Sequence, residues 1–271
     1  MTDREGVKMD ELGTRQAGFT SLRGFRAWVV SAVAVSLIFA FQSYYPDLIG
    51  PISNVLPTVC VTVTFASALL SVRRYGIRSR KRFQAIWLFF ALGSGLWLLA
   101  ESSWAFYYFI LNVAVPYPSI ADIFYVSGYL PVILALSLYL SDFSAGMSRR
   151  RLAIVGLAIV AVVSVALGLV IPVEFSSNPS ALQLATDLLY PALDLVLFSL
   201  SALSLAIFFG GSLAKWWGLV GIGAIWYVIG DEYFLFQVAQ GTYYNGSVDD
   251  LFFLLGYLFL ALAFYAHRSE L

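Results

Sequence analysis

Eight stretches of this chain are apolar for about 20 residues each, the length an α-helix needs to cross a hydrocarbon layer of about 30 Å. Of the 271 residues, 60% are hydrophobic and only 12% are charged, which is too apolar for one soluble core of this length. The sequence therefore predicts an all-α integral membrane protein with eight transmembrane helices. The predicted spans are residues 25–45, 51–72, 83–110, 119–140, 152–171, 181–209, 216–240 and 248–267.

The distribution of charge orients these spans. With eight spans, all 16 Lys and Arg residues fall on one side of the membrane, and the positive-inside rule makes that side the cytoplasm. Both termini are then cytoplasmic, including a polar tail at residues 1–24, and we expect the chain to reside in the lipid bilayer of the cell membrane. The basic stretch "RRYGIRSRKR" is interpreted as a loop that sets topology beside anionic headgroups, not as a nucleic-acid site.

The chain contains an internal repeat. The segments "PSIADIFYVSGYL" (118–130) and "GSVDDLFFLLGYL" (246–258) agree at six positions without a gap, and weaker matching upstream pairs Glu101 with Asp231 and Pro57 with Pro191. An even number of spans in each copy predicts two parallel four-helix repeats, residues 25–141 and 142–271, related by a pseudo-twofold axis along the membrane normal. The six direct matches are Ser119 with Ser247, Asp122 with Asp250, Phe124 with Phe252, Gly128 with Gly256, Tyr129 with Tyr257 and Leu130 with Leu258.

Two of these repeated acids begin predicted spans. Asp122 and Asp250 each follow a serine, Ser119 or Ser247, by three residues. This is the spacing of a capping box, in which the serine caps the first helical turn and the acid accepts a hydrogen bond from the serine N–H. Negative charge at that end also suits the helix dipole. We interpret all four residues as helix caps or a secondary site.

Four other acids lie several residues inside predicted spans, where an ionisable side chain costs about 2.5 to 3.5 kcal/mol on insertion scales. They are Glu101, Asp187, Asp194 and Asp231. The helical rise places Glu101 and Asp231 in the outer third of the membrane and Asp194 near its middle. We therefore predict an outward-facing pocket between the two repeats. A purely structural role, with neutral acids hydrogen-bonded to Tyr, Ser or Trp, is an equal alternative.

Aromatic residues accompany these acids along the helices. The predicted ligand-binding set is completed by Trp97, Trp104, Tyr190, Trp226 and Tyr227. Because no Lys or Arg lies deep within a predicted span as a counter-ion, the partner of the acids is a proton, a metal cation or an organic cation. Acids and aromatic rings together favour a small cationic or amphipathic ligand, bound by charge pairing and cation–π attraction.

The chain has one histidine and one cysteine, which excludes several kinds of site. His267 cannot alone supply bis-histidine haem ligation or a multi-histidine zinc site. Cys60 cannot form an intramolecular disulfide or a cysteine cluster. We expect no cofactor and leave the identity of any metal open. Acid–base catalysis by two carboxylates is not excluded, although an enzyme is the less favoured class.

The segment "VPYPSIADIFYVSGYLPVILAL" resembles a recurrent segment of the multi-span membrane regions found N-terminal to bacterial diguanylate cyclases and sensor kinases. The likeness is specific over residues 115–130, and "TDLLYPALDLVLFSLS" and "SVDDLFFLLGYL" support it. It implies a sensory membrane region. No output domain is present in the sequence, so we expect any signal to pass to a separate cytoplasmic or membrane partner.

These features favour a receptor-like or sensory membrane module that binds a small cationic or amphipathic ligand, or protons, in an acidic and aromatic pocket. A proton- or cation-coupled transporter is the alternative, because duplicated halves around buried acids also suit alternating access. A membrane-embedded enzyme using carboxylates and a structural subunit of a membrane complex are further alternatives.

Overall fold

The computed structural model describes residues 23–75, 81–143, 150, 153–161, 164, 168, 180–208 and 214–270. These residues form helices and their connections, with no strand among them. The helices are α1 (Arg23–Ala40), α2 (Pro46–Tyr75), α3 (Lys81–Phe106, continued by a π-helical turn at Tyr107–Leu111), α4 (Ile120–Phe143), the described part of α5 (153–161), α6 (Ala181–Phe208), α7 (Ala214–Gln240) and α8 (Val248–Glu270).

Six of these helices, α2, α3, α4, α6, α7 and α8, are long and apolar enough to cross a membrane. The prediction of an all-α, multi-pass membrane protein is confirmed at that level. α1 is a shorter apolar helix, and α2 begins at Pro46 instead of residue 51, because proline is well tolerated in the first turn of a helix. Of the fifth predicted span, 152–171, the structure describes residues 153–161, 164 and 168; of the tail, 1–24, it describes residues 23 and 24, and the rest lie outside the described residues.

The six long helices form a closed ring. α2 packs against α3, α3 against α4, α4 against α6, α6 against α7, α7 against α8, and α8 returns to α2. α1 packs on the outside of the ring, against α8. Large apolar side chains such as Leu88 and Ile123 point away from the ring, with 55% and 63% of their surface exposed, toward the lipid.

Small residues bring two pairs of helices into close contact. A Cβ atom on Gly93 of α3 would lie 3.0 Å from the carbonyl oxygen of Gly128 on α4. A Cβ atom on Gly256 of α8 would lie 3.1 Å from the carbonyl oxygen of Gly223 on α7. Association of membrane helices depends on such van der Waals packing, and glycine lets the backbones approach. The α3–α4 and α7–α8 pairs are therefore tightly packed, as is α6–α7, where a Cβ atom on Gly221 would lie 3.1 Å from the Ser201 carbonyl oxygen.

The two ends of the ring differ. At the end next to the basic connection between α2 and α3, aromatic side chains that are almost wholly buried fill the interior. The main members of this plug are Trp87, Phe90, Tyr139, Trp217 and Phe264. Phe264 lies 5.2 Å from Trp87 and 5.1 Å from Phe90 between ring centroids. At the opposite end, where α2, α4, α6 and α8 begin, the interior contains carboxyl groups instead.

The glycine contacts predict a specific loss of stability. In a Gly128→Ala variant the new Cβ would lie 2.5 Å from the indole of Trp97 and 3.2 Å from the Gly93 carbonyl oxygen, so α3 and α4 must separate. We expect destabilisation of about 1 to 3 kcal/mol, measured as a lower midpoint of thermal unfolding in detergent. Gly218→Ala is the matched control, because its Cβ would meet nothing closer than Leu205 at 3.6 Å. Equal midpoints for the two variants would contradict the tight α3–α4 contact.

Candidate functional site

A pocket of about 610 Å³, including the open space at its mouth, lies inside the ring at the end away from the basic α2–α3 connection. All six ring helices and the α7–α8 connection contribute side chains to it. Four lining residues are acids: Glu101, Asp122, Asp231 and Asp250. Seven are aromatic: Trp104, Tyr125, Tyr190, Tyr227, Phe234, Tyr243 and Phe253. Ser53, Pro57 and Leu235 complete the lining, and none of the described residues in it is Lys, Arg or His.

Glu101 reaches the pocket from α3, about one turn before the last residues of that helix. Only 7% of its surface is exposed. The Tyr257 hydroxyl of α8 donates a hydrogen bond of 2.8 Å to Glu101 Oε1, and it also lies 3.2 Å from the Tyr227 hydroxyl of α7. A buried carboxyl group of α3 is thus held by a tyrosine of α8, and α2 packs against both helices.

Asp231 has a similar tyrosine partner. Tyr129 of α4, with no exposed surface, places its hydroxyl in hydrogen-bond contact with Asp231 Oδ2 and, at 2.5 Å, with Asp194 Oδ1 of α6. Asp231 lines the pocket, whereas Asp194 lies behind it with 1% of its surface exposed. The second oxygen of Asp194 is buried and has no hydrogen-bond partner among the described residues. We call Asp194 and Asp231, together with the Tyr129 hydroxyl that joins them, the bridged acid pair.

These two tyrosine–acid contacts involve matched positions of the predicted repeat. Tyr129 aligns with Tyr257, and Asp231 aligns with Glu101. In the structure each tyrosine contacts the acid of the other half, so that Tyr129 contacts Asp231 and Tyr257 contacts Glu101. Between them, Trp97 of α3 stacks on Tyr227 of α7, with ring centroids 4.7 Å apart and an interplanar angle of 14°. The two halves of the chain therefore meet through aromatic and carboxyl groups, several of which line the pocket.

Asp122 acts as a helix cap and lines the pocket at the same time. Its Oδ2 accepts hydrogen bonds from the Ser119 N–H at 2.6 Å and the Ser119 hydroxyl at 3.2 Å, and the Ser119 hydroxyl oxygen accepts one from the Ala121 N–H. Its other oxygen, Oδ1, accepts a hydrogen bond of 2.9 Å from the Tyr190 hydroxyl of α6. The same carboxyl group thus caps the start of α4 and lines the pocket.

Asp250 begins α8 with a different cap from the one that the repeat predicts. The Ser247 N–H already donates to the Tyr244 carbonyl oxygen, so the Asp250 carboxylate accepts from the Gly246 N–H at 2.6 Å. The Ser247 hydroxyl donates to Gln237 Oε1 at 2.7 Å. The positive φ of Gly246, 101°, shapes this turn, and a side chain there would also collide with Ile49.

An aromatic cluster covers the connection side of the pocket. Phe234 of α7 lies 4.9 Å from Tyr243, 6.0 Å from Trp104 and 5.9 Å from Tyr117 between ring centroids, in edge-to-face arrangements. Trp104, Phe234 and Tyr243 are half-buried, whereas Glu101 is buried about one turn deeper. A ligand entering from this end would therefore meet aromatic faces before it reaches the deeper acids.

The structure brings together five of the nine residues predicted to bind a ligand. Those that line the pocket are Glu101, Asp231, Trp104, Tyr190 and Tyr227. The remaining four, Asp187, Asp194, Trp97 and Trp226, do not line it.

Each of those four has another environment. Asp187 accepts a 2.6 Å hydrogen bond from the Tyr117 hydroxyl of the α3–α4 connection. Asp194 belongs to the bridged acid pair, Trp97 donates its indole N–H to the Tyr125 carbonyl oxygen at 3.2 Å, and Trp226 packs on Phe252 at 5.3 Å.

Two tyrosines that hold the acids are not among the residues predicted to form the site. Tyr129 and Tyr257 were identified only as matched positions of the repeat, and a tyrosine kept at the same position of both copies was the available signal. Nothing in the local sequence distinguishes Tyr125, Ser53 or Phe253 from other residues of an apolar helix, because their place in the lining depends on how the helices are rotated in the ring.

The chemistry of the lining suits an organic cation better than a coordinated metal ion. Within the described part of the chain, no three His, Cys, Asp or Glu side chains come close enough together to hold a metal ion. The pocket instead combines acidic oxygens with aromatic faces, the two groups that bind an organic cation.

No protein-family model, curated protein or solved structure matches this chain.

Removal of the bridging hydroxyl should destabilise the protein. In a Tyr129→Phe variant, Asp194 and Asp231 lose their shared hydrogen-bond partner while both remain buried, which we expect to cost about 1 to 3 kcal/mol. The measurement is the midpoint of thermal unfolding in detergent. Tyr44→Phe, at a position with 82% of its surface exposed, is the matched control and should leave the midpoint unchanged. A Tyr129→Phe variant as stable as the control would show that the bridge contributes nothing.

Proposed function

We propose that this chain is a receptor-like membrane module that binds a small organic cation in the acidic and aromatic pocket. The observation that carries the proposal is the lining itself: four carboxyl groups and seven aromatic side chains surround one pocket, with no basic side chain among the part of the lining that the structure describes. Carboxyl groups in a low-dielectric interior attract a positive charge strongly. The aromatic faces stabilise an alkyl- or arylammonium group by about 0.5 to 2 kcal/mol for each favourable contact.

The proposal includes two four-helix repeats around the pocket. Support comes from packing that follows the predicted pairing of α2 with α6, α3 with α7 and α4 with α8. The α3–α4 and α7–α8 contacts each contain a facing pair of glycines, and α4–α6 is matched by α8–α2. The crossed contacts of Tyr129 with Asp231 and of Tyr257 with Glu101 follow the same pairing. A ligand between the halves can therefore change how one half packs on the other.

We further propose that the pocket opens outward and that the chain acts as a sensor for a separate signalling partner. The pocket lies at the end away from the basic connections, which the positive-inside rule assigns to the cytoplasm. The aromatic plug fills the other end of the ring. A pocket reachable from one side only suits a receptor, whereas a transporter needs access from both sides. The resemblance of residues 115–130 to sensory membrane regions agrees with this assignment.

The first test is binding of tetraphenylphosphonium, a permanently charged amphipathic cation, to the purified protein. Glu101→Gln removes one acid of the lining, and we expect affinity to fall about tenfold or more, equivalent to about 1.4 kcal/mol per factor of ten. Binding can be followed by equilibrium dialysis. Asp187→Asn is the matched control, since it neutralises a buried acid that does not line the pocket, and it should bind as the wild type does.

Charge is tested separately from size by triphenylphosphine oxide, an uncharged molecule with similar aromatic groups. We expect it to bind far more weakly than the cation, because it cannot pair with the acids. Equal affinity for the two molecules, or an unchanged affinity in Glu101→Gln, would contradict a cation site and favour a structural role for the acids.

The second test concerns access to the pocket. Ser53 and Cys60 are seven residues apart on α2 and both have little exposed surface, but Ser53 lines the pocket and Cys60 does not. A Ser53→Cys, Cys60→Ser variant in sealed vesicles should react with a membrane-impermeant maleimide from the pocket side only, and tetraphenylphosphonium should protect it. The wild type, with its thiol at Cys60, is the control and should not react from either side. Labelling of the variant from both sides, with a bias that shifts on addition of the cation, would assign the chain as a transporter.

A further inference from the structure

The bridged acid pair has more hydrogen-bond contacts than one hydroxyl proton can supply. The Tyr129 hydroxyl lies within hydrogen-bond distance of Asp194 Oδ1 and of Asp231 Oδ2. Tyr129 has one proton to donate, and a carboxylate has none. Both contacts are hydrogen bonds only if one carboxyl group carries a proton and donates it to the tyrosine oxygen. The geometry therefore accommodates two carboxyl groups and one additional proton.

Among the described residues, the groups around the pair offer no positive charge in place of that proton. The titratable groups that interact with its members are Asp122 of α4, Tyr190 of α6, Tyr227 and Glu232 of α7, and Asp249 of α8. Glu101 of α3 and Tyr257 of α8 lie beyond Tyr227. All of them are acids or phenols. Two adjacent carboxylates in such surroundings would repel each other, and a shared proton removes one of the two charges.

The pair is also where the two halves of the chain differ. The alignment of Pro57 with Pro191 pairs Asp194 with Cys60, so the first half has no second acid at this position. Tyr257 accordingly contacts one carboxyl group, Glu101, whereas Tyr129 contacts two. Asp194 is thus an additional acid, fully buried behind a pocket that it does not line. Its position gives Asp231 a neighbour with which to share a proton.

We propose that the bridged acid pair holds one exchangeable proton and that a cation entering the pocket displaces it, so that binding is a one-for-one exchange of cation for proton. This inference rests on the proposed cation site. In the exchange the O–H bond of one carboxyl group breaks and the proton passes to water at the mouth of the pocket. The Asp231 carboxylate then faces the bound cation, while Tyr129 keeps its own proton and donates it to one of the two carboxylates. The net charge of the site is unchanged.

Such an exchange makes binding depend on pH in a defined way. Because the proton and the cation compete, affinity for the cation rises with pH, by about tenfold per pH unit where the site binds one proton. An Asp194→Asn variant keeps Asp231 in the lining but has one carboxyl group at the bridge, which Tyr129 can satisfy alone. That variant should bind the cation with little dependence on pH.

The experiment measures binding and proton release together. Tetraphenylphosphonium has no proton of its own, so any proton released in weakly buffered solution comes from the protein. We expect about one proton per bound cation from the wild type and from the control Asp187→Asn, and close to none from Asp194→Asn. Asp194→Cys, which introduces the residue that the repeat aligns there, serves as a second variant if Asp194→Asn fails to fold.

The outcomes separate the exchange from the cation site. One proton per cation in the wild type, lost with Asp194, supports the exchange. Binding without proton release, or release that persists in both Asp194 variants, overturns the exchange and leaves the cation site intact. An absence of cation binding by the wild type overturns the proposed function and the exchange with it. Infrared difference spectra supply an independent readout, since the carbonyl stretch of a protonated carboxyl group should disappear on binding in the wild type and be unaffected in Asp194→Asn.

Discussion

The structure depends on how carboxyl groups are accommodated in an apolar interior without a basic partner. An isolated ionised carboxylate is strongly disfavoured there, and the Lys and Arg residues of the six long helices lie at the helix ends. The protein instead surrounds its acids with tyrosine hydroxyls and backbone N–H groups at helix starts. Tyr117, Tyr129, Tyr190 and Tyr257 each donate to a buried acid. Tyr190 itself lines the pocket, and so do three of the acids that these tyrosines hold, Glu101, Asp122 and Asp231. The contacts that stabilise the fold thus also position the site.

The same contacts join helices that are not direct neighbours in the ring. Tyr257 of α8 holds Glu101 of α3, and Tyr129 of α4 holds Asp231 of α7. Tight helix pairs at Gly93 and Gly128, and at Gly223 and Gly256, bring each tyrosine-bearing helix against its neighbour. Packing by small residues positions the helices, and hydrogen bonds across the ring determine which faces meet. A change at one acid can therefore reach both halves of the chain.

Hydropathy predicted the membrane class and eight spans, of which six are long apolar helices among the described residues, because a run of about 20 apolar residues has few stable alternatives in this composition. The helical rise alone predicted similar depths for Glu101 and Asp231, and both line the pocket. Membership of the pocket could not be predicted in the same way, since it depends on the rotation of each helix about its axis. Asp187 and Asp194, seven residues apart on α6, were expected in the pocket, yet Tyr190 between them lines it and they do not. The bridging tyrosines were missed because an isolated tyrosine in an apolar helix resembles any other interfacial aromatic residue.

The closed ring also sets an order for assembly during synthesis. Glu101 enters the membrane with α3, but the tyrosine that donates to it, Tyr257, follows 156 residues later in the chain. Asp231 and its partner Tyr129 are separated by 102 residues. Until α8 has been inserted and packs on α2, the first half of the chain holds a membrane-embedded acid without its native donor. During synthesis, water, lipid headgroups or an insertion factor must therefore satisfy the hydrogen-bonding needs of that acid. The pocket is complete only when α8 is in place.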